Sequence, residues 1–236
     1  MPAIVEIVPD VYRIPTLGDF INTFVFVETD GSVTLVDTGL KKAPPKIVAG
    51  LAAIGKSPAD VQRIVLTHAH SDHAGGAADL VRQAALEGVA IHEADAEFIE
   101  EGFAPPLDQS LLSARVLTRL PRATFDPVQV SERLTDGQLL DVAGGLRVHH
   151  TPGHTPGHTS LVHEPTRTMI TGDAMWNMAS RMTWPVPQFC TSVKLNKQSA
   201  HVLGELEYDI VGFTHGPHID TNARETVRGF LRKKQA

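Results

Sequence analysis

The fold of this chain is decided by residues 66–76, which read Leu66-Thr67-His68-Ala69-His70-Ser71-Asp72-His73-Ala74-Gly75-Gly76. Four metal-binding side chains stand within six residues here, directly after a short apolar run. Side chains at positions i and i+2 of an extended chain point the same way, so His68 and His70 can bind one ion from one side. Asp72 and His73 then point elsewhere. The pattern favours one half of a metal site plus the beginning of a second, which suits catalysis.

Length and composition favour a single domain over residues 1–236. The chain is 42% hydrophobic and 20% charged, and no linker, repeat or low-complexity segment divides it. Its 21 Lys and Arg stand against 27 Asp and Glu, a net charge of −6, and only Arg232-Lys233-Lys234 forms a basic run. Nucleic acid is therefore not expected as a partner.

Cysteine content and hydropathy indicate the compartment. Cys190 is the only cysteine, which excludes an intrachain disulfide and the CxxC pairs of structural zinc sites. The residues after Met1 show no basic segment followed by an apolar one, and nowhere do eighteen apolar residues run together. We expect a cytoplasmic protein without a membrane partner.

Strands and helices are predicted in two similar rounds. The first round has strands at Ala3–Val8, Val11–Ile14, Thr23–Glu28, Val33–Asp37 and Ile64–Leu66, with helices from Pro44 to Gly55 and over Ala74–Glu87. Next come a strand at Val89–His92 and a helix at Glu93–Glu101. The second round has strands at Val128–Leu134, Leu139–Val142, Leu146–Thr151, Thr159–His163, Thr168–Thr171 and Ile210–Thr214, with helices over Gln198–Leu206 and from Asn222 to about Lys234. Residues 102–127 have no readable periodicity, and residues 175–193 are expected to be rich in loops. Two such rounds indicate two packed sheets with helices outside.

Three later segments place further candidate ligands after apolar strands and beside glycine. They are Thr151-Pro152-Gly153-His154, Thr171-Gly172-Asp173 and Phe213-Thr214-His215-Gly216. Glycine allows the backbone to turn sharply and aim the neighbouring side chain into a shared hollow. With the first cluster, the candidates are five histidines and two aspartates. One four-coordinate ion cannot use so many ligands, so two ions are expected.

The order of these motifs resembles the metallo-β-lactamase superfamily. The resemblance runs from Asp37-Thr38-Gly39 through His-x-His-x-Asp-His, Thr-Pro-Gly-His and Gly-Asp to His215. It implies an α+β fold, an αββα four-layer sandwich with the metal centre at one edge. It assigns His68, His70 and His154 to the first ion and Asp72, His73 and His215 to the second. Asp173 is assigned a bridging position, and Asp37 supports the site from behind.

The resemblance also implies a chemistry. A metal-bound hydroxide of a dinuclear centre would cleave the substrate, and Asp72 would orient it and carry its proton to the leaving group. Histidine and carboxylate ligands suit zinc well, and they also accommodate iron or manganese, so the ligand type does not decide the metal. We expect a zinc-dependent metallohydrolase.

Differences between this sequence and particular branches of the superfamily restrict the substrate classes expected for it. The stretch after His215 has room for one helix, whereas glyoxalase II-like enzymes carry a longer helical extension. Asp173 stands where zinc β-lactamases of the cysteine-containing type have a thiolate, so a lactonase- or esterase-like branch is favoured over true β-lactamases. An ester, lactone or thioester-like small molecule is the expected substrate. The alternatives are a mononuclear iron sulfur dioxygenase that oxidises persulfides, and β-lactam or phosphodiester hydrolysis.

Several residues near the motifs keep more than one interpretation. Trp176 stands where many lactonases have tyrosine, and Trp176 and His218 are candidates for substrate binding. Trp184 and Phe189 either line the same pocket, pack in the core or form a homodimer contact. Cys190 is interpreted as a small buried hydrophobic residue. His158 is a candidate for supporting the site.

Overall fold

The computed structural model describes residues 3–119 and 123–233. Its strands are β1 Val5–Val8, β2 Val11–Pro15, β3 Asn22–Val27, β4 Val33–Val36, β5 Val61–Val65, β6 Val89–His92, β7 Val130–Leu134, β8 Leu139–Leu140, β9 Leu146–His150, β10 Thr159–His163, β11 Thr168–Ile170, β12 Trp176–Met178, β13 Arg181–Thr183 and β14 Ile210–Gly212. The α-helices are α1 Pro44–Ala53, α2 Ala77–Gln83, α3 Glu93–Glu101, α4 Leu112–Leu117, α5 Val193–Ser199 and α6 Ala223–Lys233. Within these ranges no helix has the length and apolar character needed to cross a membrane.

Two sheets form the centre of the fold. The first has seven strands, β1 to β7 in chain order, antiparallel up to β4 and parallel from β4 to β7. Parallel neighbours need a crossover, and α1, α2 and α3 lie in the connections that supply it. The second sheet has the order β14-β11-β10-β9-β8, and only its β11–β14 pair is parallel.

The hydrophobic core consists of three clusters, one between the two sheets and one between each sheet and its covering helices. Phe24 and Phe26 of β3 pack between the two sheets, whereas Val25 packs towards the helices of the first sheet. In β10, Leu161 likewise faces the space between the sheets and Val162 faces the helices on the other side. Successive residues of a strand point to opposite faces, so helices cover both outer faces. The expected αββα sandwich is confirmed.

The metal motifs meet at one edge because of strand direction. β9, β11 and β14 run the same way, since β9 and β11 are both antiparallel to β10 and β14 is parallel to β11. Their C-terminal ends therefore lead to one side of the second sheet, where His154, Asp173 and His215 follow. The N–H of Thr159 bonds to the carbonyl of Thr67 at 2.9 Å, which brings the end of β5 to the same edge.

Four segments differ from the sequence prediction. The helix expected over Ala74–Glu87 is shorter and spans Ala77–Gln83, because the N–H of Gly76 bonds to the carbonyl of Gly39 outside the helix and Ala85 has a φ angle of +54°. The helix expected over 198–206 starts earlier, as α5, whose first turn is capped by the Ser192 side chain, and it continues as a 3₁₀ turn over Ala200–Gly204. Residues 102–127, for which no element was predicted, contain α4, and residues 175–193, expected as loops, contain the β12–β13 hairpin. The expected helix end at Lys234 lies outside the described residues.

Candidate metal centre

Three histidines form one half of the centre. His68 and His70 follow β5, and His154 follows β9. His70 Nδ1 lies 3.1 Å from His68 Nε2 and 2.9 Å from His154 Nε2. All three ligand atoms lie within 4.8 Å of one another, a convergence that suits one cation. These residues are named the first trio.

Asp72, His73 and His215 form the other half, named the second trio. Their ligand atoms also lie within 4.8 Å of one another. Asp72 Oδ2 is 3.4 Å from His215 Nε2 and 3.7 Å from His73 Nε2. The Asp72 side chain keeps 31% of its surface exposed, so this half of the centre opens to solvent.

Asp173 lies between the two trios. Its Oδ2 is 3.2 Å from His154 Nε2 and 3.3 Å from His215 Nε2, and its Oδ1 is 3.5 Å from His73 Nε2. One carboxylate thus contacts histidines of both halves. The structure brings together all seven side chains that the sequence offered as ligands.

Asp37 lies behind the centre and orients two of the histidines. Its Oδ2 accepts a hydrogen bond from His73 Nδ1 at 2.8 Å. The Thr67 hydroxyl also donates to Asp37 Oδ2, so its oxygen is left to accept from His68 Nδ1 at 3.0 Å. With the proton on Nδ1, Nε2 of His68 carries its lone pair towards the centre, and Nε2 of His73 does so once that ring is neutral.

The loop of His215 is held by the turn between β2 and β3. The carbonyl of Phe20 accepts from His215 Nδ1, which directs Nε2 towards Asp72 and Asp173. Asn22 Nδ2 donates to the carbonyls of Phe213 and Gly216 at 2.9 and 2.8 Å, on either side of His215. Asn22 carries no functional signal in the sequence, because a single asparagine at a strand start is ordinary turn chemistry.

Cys190 contacts a histidine of the first trio. It is buried, as expected for a small hydrophobic residue, but its Sγ lies 3.6 Å from His154 Nδ1. Burial raises the pKa of the thiol to about 12, so it stays protonated at neutral pH. The thiol sulfur accepts from the His154 ring and leaves Nε2 for the centre.

His158 supports Asp173 rather than adding a ligand. Its Nδ1 donates to the carbonyl of Thr151 at 2.9 Å, so its Nε2 accepts from the backbone N–H of Asp173 at 2.7 Å. A side chain at Gly172 would place Cβ 2.5 Å from this ring, and the φ angle there is +54°. The Gly-Asp pair therefore needs its glycine on both steric and conformational grounds.

Charge differs between the two halves. Burial lowers the pKa of His70 to about 4, and it lowers the pKa values of His68 and His154 well below their ordinary value. In the second trio burial acts in the same direction, but Asp173 and Asp72 outweigh it. They raise the pKa of His73 to about 9 and that of His215 to about 11.

The donor set fits divalent cations. The buried Nε2 atoms of His73 and His215 make no hydrogen bond. Asp72 and Asp173 raise the pKa values of both rings, so this half of the centre favours positive charge. Imidazole with carboxylate accommodates zinc, iron or manganese. Within the described chain, this cluster is the one place where such groups converge.

We expect metal uptake at pH 7 to release protons unequally from the two halves. Ligand nitrogens must be deprotonated, so filling the second trio should release about two protons and filling the first trio none. Affinity at the second trio should rise with pH most steeply up to about 9, the folded pKa of His73, and less steeply from there to about 11, that of His215. Calorimetric titration with Zn²⁺ in buffers of different ionisation enthalpy measures this release. A His215→Ala chain should release fewer protons, and binding heats independent of buffer would contradict the assignment.

The aromatic residues and the histidine considered for substrate contact occupy different environments. The Trp176 ring packs on the His215 ring with centroids 4.6 Å apart. Trp184 packs on Phe230 in the core, and Phe189 is 52% exposed. His218 is half-buried, and burial, then nearby Arg13, lowers its pKa. Among residues 3–119 and 123–233, no hydrogen bond or ion pair joins it to the seven candidate ligands.

Comparison with known families agrees with this geometry. A sequence profile described as the metallo-beta-lactamase superfamily matches residues 17–230. This chain belongs to the metallo-beta-lactamase superfamily. The superfamily resemblance inferred from the motifs is confirmed, and the chain carries the His/Asp cluster of a metallohydrolase.

Superfamily relatives cover most of the chain. The probable metallo-hydrolase YybB of Bacillus subtilis (strain 168) is 25% identical over 194 residues, which cover 82% of this chain and 80% of that protein. The uncharacterized protein YobT of the same organism is 30% identical over 217 residues, 88% of each chain. A solved metallo-beta-lactamase family protein of Thermus thermophilus is 25% identical with a TM-score of 0.73, and the match covers 98% of this chain and 81% of that one.

Proposed function

We propose that this protein is a dinuclear, zinc-dependent hydrolase that cleaves an ester, lactone or thioester-like small molecule. The observation that carries the proposal is the position of Asp173, whose Oδ2 lies within 3.3 Å of a histidine from each trio. A carboxylate in that position would be able to serve two ions at once. The first trio would hold one ion and the second trio the other, with Asp173 between them.

The residues of the chain divide the work of hydrolysis. Bound divalent ions supply a strong nucleophile from water at neutral pH and polarise the carbonyl oxygen under attack. Burial opposes ionisation of Asp72, but His73 and His215 outweigh it and hold the pKa of its carboxyl well below the usual range. Asp72 is therefore ionised and partly exposed, and it can accept a proton and deliver it to the leaving group. Asp173, which is 3% exposed, has no such access.

The surroundings of the centre support a substrate with an apolar part. Phe20 is 58% exposed, and its carbonyl holds His215. Phe189 is similarly open and precedes Cys190, which contacts His154. The indole N–H of Trp176 is buried without a hydrogen-bond partner beside His215. Ligand sites commonly combine apolar walls with a few polar groups in this way.

One relative agrees with acyl-group hydrolysis. The hydroxyacylglutathione hydrolase of Rhodopseudomonas palustris (strain BisB5) is 24% identical over 170 residues, 72% of this chain and 53% of that protein. An acyl carbonyl attached to a good leaving group is the chemistry we expect for this chain too.

Metal analysis combined with a substrate panel tests the proposal. We expect about two zinc ions per purified chain and turnover of a lactone, ester or thioester under anaerobic conditions. The panel should include phosphodiesters and β-lactams as comparison substrates. One iron per chain with oxygen consumption on a persulfide would replace the proposal by a sulfur dioxygenase. A chain that takes up no metal after reconstitution would remove both.

A further inference from the structure

A buried aspartate joins the two loops that supply the first trio. Asp95 Oδ2 accepts the N–H of Ala69 at 2.9 Å, and Ala69 stands between His68 and His70. Asp95 Oδ1 accepts the N–H of Gly157 at 2.6 Å, in the loop that carries His154. Each oxygen of one carboxylate thus holds one of the two loops.

The position of this carboxylate is fixed by the start of α3. Asp95 is fully buried in the first turn of the helix, where the helix dipole favours a negative charge. The His92 side chain accepts the N–H of Ala94 and caps the same turn. Hydrogen bonds to an ionised acceptor are stronger than neutral ones, and more so away from water. The first turn of α3 therefore fixes the backbone of Asp95, and its carboxylate bonds to both loops.

The loop of His154 packs directly against the helix at this point. A Cβ atom on Gly157 would lie 2.5 Å from the backbone nitrogen of Asp95 and 2.8 Å from its Cβ. No side chain fits in that space. The second Pro-Gly pair of Thr151-Pro152-Gly153-His154-Thr155-Pro156-Gly157 therefore serves the approach of α3, and it adds no ligand.

The second trio is held by other groups. Asp37 binds His73, and the Phe20 carbonyl binds His215. Neither contact involves Asp95 or the helix that carries it. A change at Asp95 should consequently act on one half of the centre.

We propose that Asp95 is a positioning residue that sets the spacing of His68, His70 and His154, and thereby the metal affinity of the first trio independently of the second. The inference rests on the metal binding of the proposed function, but not on the choice of substrate. An isosteric Asp95→Asn change turns one acceptor oxygen into an NH₂ donor that faces a backbone N–H. One loop must then move away.

The test measures each trio separately, in variants that lack a histidine of the other trio. His215→Ala leaves the first trio complete, and His154→Ala leaves the second complete. We expect Asp95→Asn to weaken Zn²⁺ binding by about 10- to 100-fold in the His215→Ala background, the range found for groups that orient metal ligands. In the His154→Ala background the affinity should not change. Chelator competition measures both constants.

A matched control excludes simple loss of stability. Leu51→Ala removes a fully buried side chain from the packing of α1 and should lower the melting temperature without changing Zn²⁺ affinity. Relative to other core amides, those of Ala69 and Gly157 should exchange faster in Asp95→Asn, whereas Leu51→Ala should accelerate core amides alike. Equal weakening at both trios, or none at the first, would overturn the inference while leaving the hydrolase intact. A parent chain that binds no Zn²⁺ would overturn the proposed function and this inference together.

Discussion

Replacing Asp173 by alanine is expected to lower the metal content from about two ions to about one per chain and to reduce kcat/KM by about 10³-fold or more, because one ion supplies several kcal/mol of transition-state stabilisation. Asp173 Oδ2 approaches His154 and His215 within 3.3 Å, so its loss would remove the shared ligand of the proposed dinuclear centre. The remaining ion should reside in the first trio, whose histidines have lowered pKa values and need no deprotonation. Elemental analysis and steady-state kinetics measure both effects.

Two further variants define what the loss of Asp173 means. In the parent chain the Thr214 hydroxyl donates to Asp173 Oδ1 at 2.7 Å. Asp173→Asn keeps an acceptor for this hydroxyl but removes the charge. We expect it to lose metal almost as Asp173→Ala does. Asp209→Ala removes a surface carboxylate paired with Arg167 and should leave metal content and rate unchanged. If Asp173→Ala retained two ions and full activity, the carboxylate would not bridge the halves.

Asp72→Asn should lower kcat by about 10²- to 10⁴-fold while KM changes little, since general acid–base catalysis contributes in this range. Asparagine keeps the size and one carbonyl oxygen for the second trio but cannot take up a proton. Its effect should therefore persist at saturating zinc, when both ions are bound.

An exposed aspartate outside the centre provides the comparison for Asp72. Asp126 forms an exposed ion pair with Lys41, and Asp126→Asn should behave as the parent. Normal turnover of Asp72→Asn would remove Asp72 from the mechanism. Recovery of activity by added zinc alone would make Asp72 a ligand without a role in proton transfer.

Much of the candidate site was predictable from local sequence. Residues 68–73 follow a buried strand, and their ligand density has no ordinary explanation in a polar loop. His154, Asp173 and His215 each follow a strand and adjoin a glycine, so the same local pattern recurs. The structure brings these seven side chains together, although their sequence separation is large, because the strands before them end at one edge.

The groups that orient the ligands were mostly not predictable. Asp95 looks like an ordinary acidic residue in the first turn of a helix, which the helix dipole already explains. Cys190 looks like a small core residue, and its contact with His154 depends on how the loop before α5 folds back. Asn22 has the same character. None of these residues carries a local signal, because their partners lie far away in the chain.

The sequence by itself determined the superfamily, the sandwich and the identity of the candidate ligands. Strand periodicity, glycine turns and ligand spacing are local properties, and each of them constrains the backbone within a few residues. Tertiary structure decided which nitrogen of each histidine faces the centre, and which histidines carry protons. Those properties depend on burial and on hydrogen-bond partners from distant segments, such as Asp37 for His73 and Phe20 for His215. Electrostatics and tautomers are set by the surroundings that only the folded chain assembles.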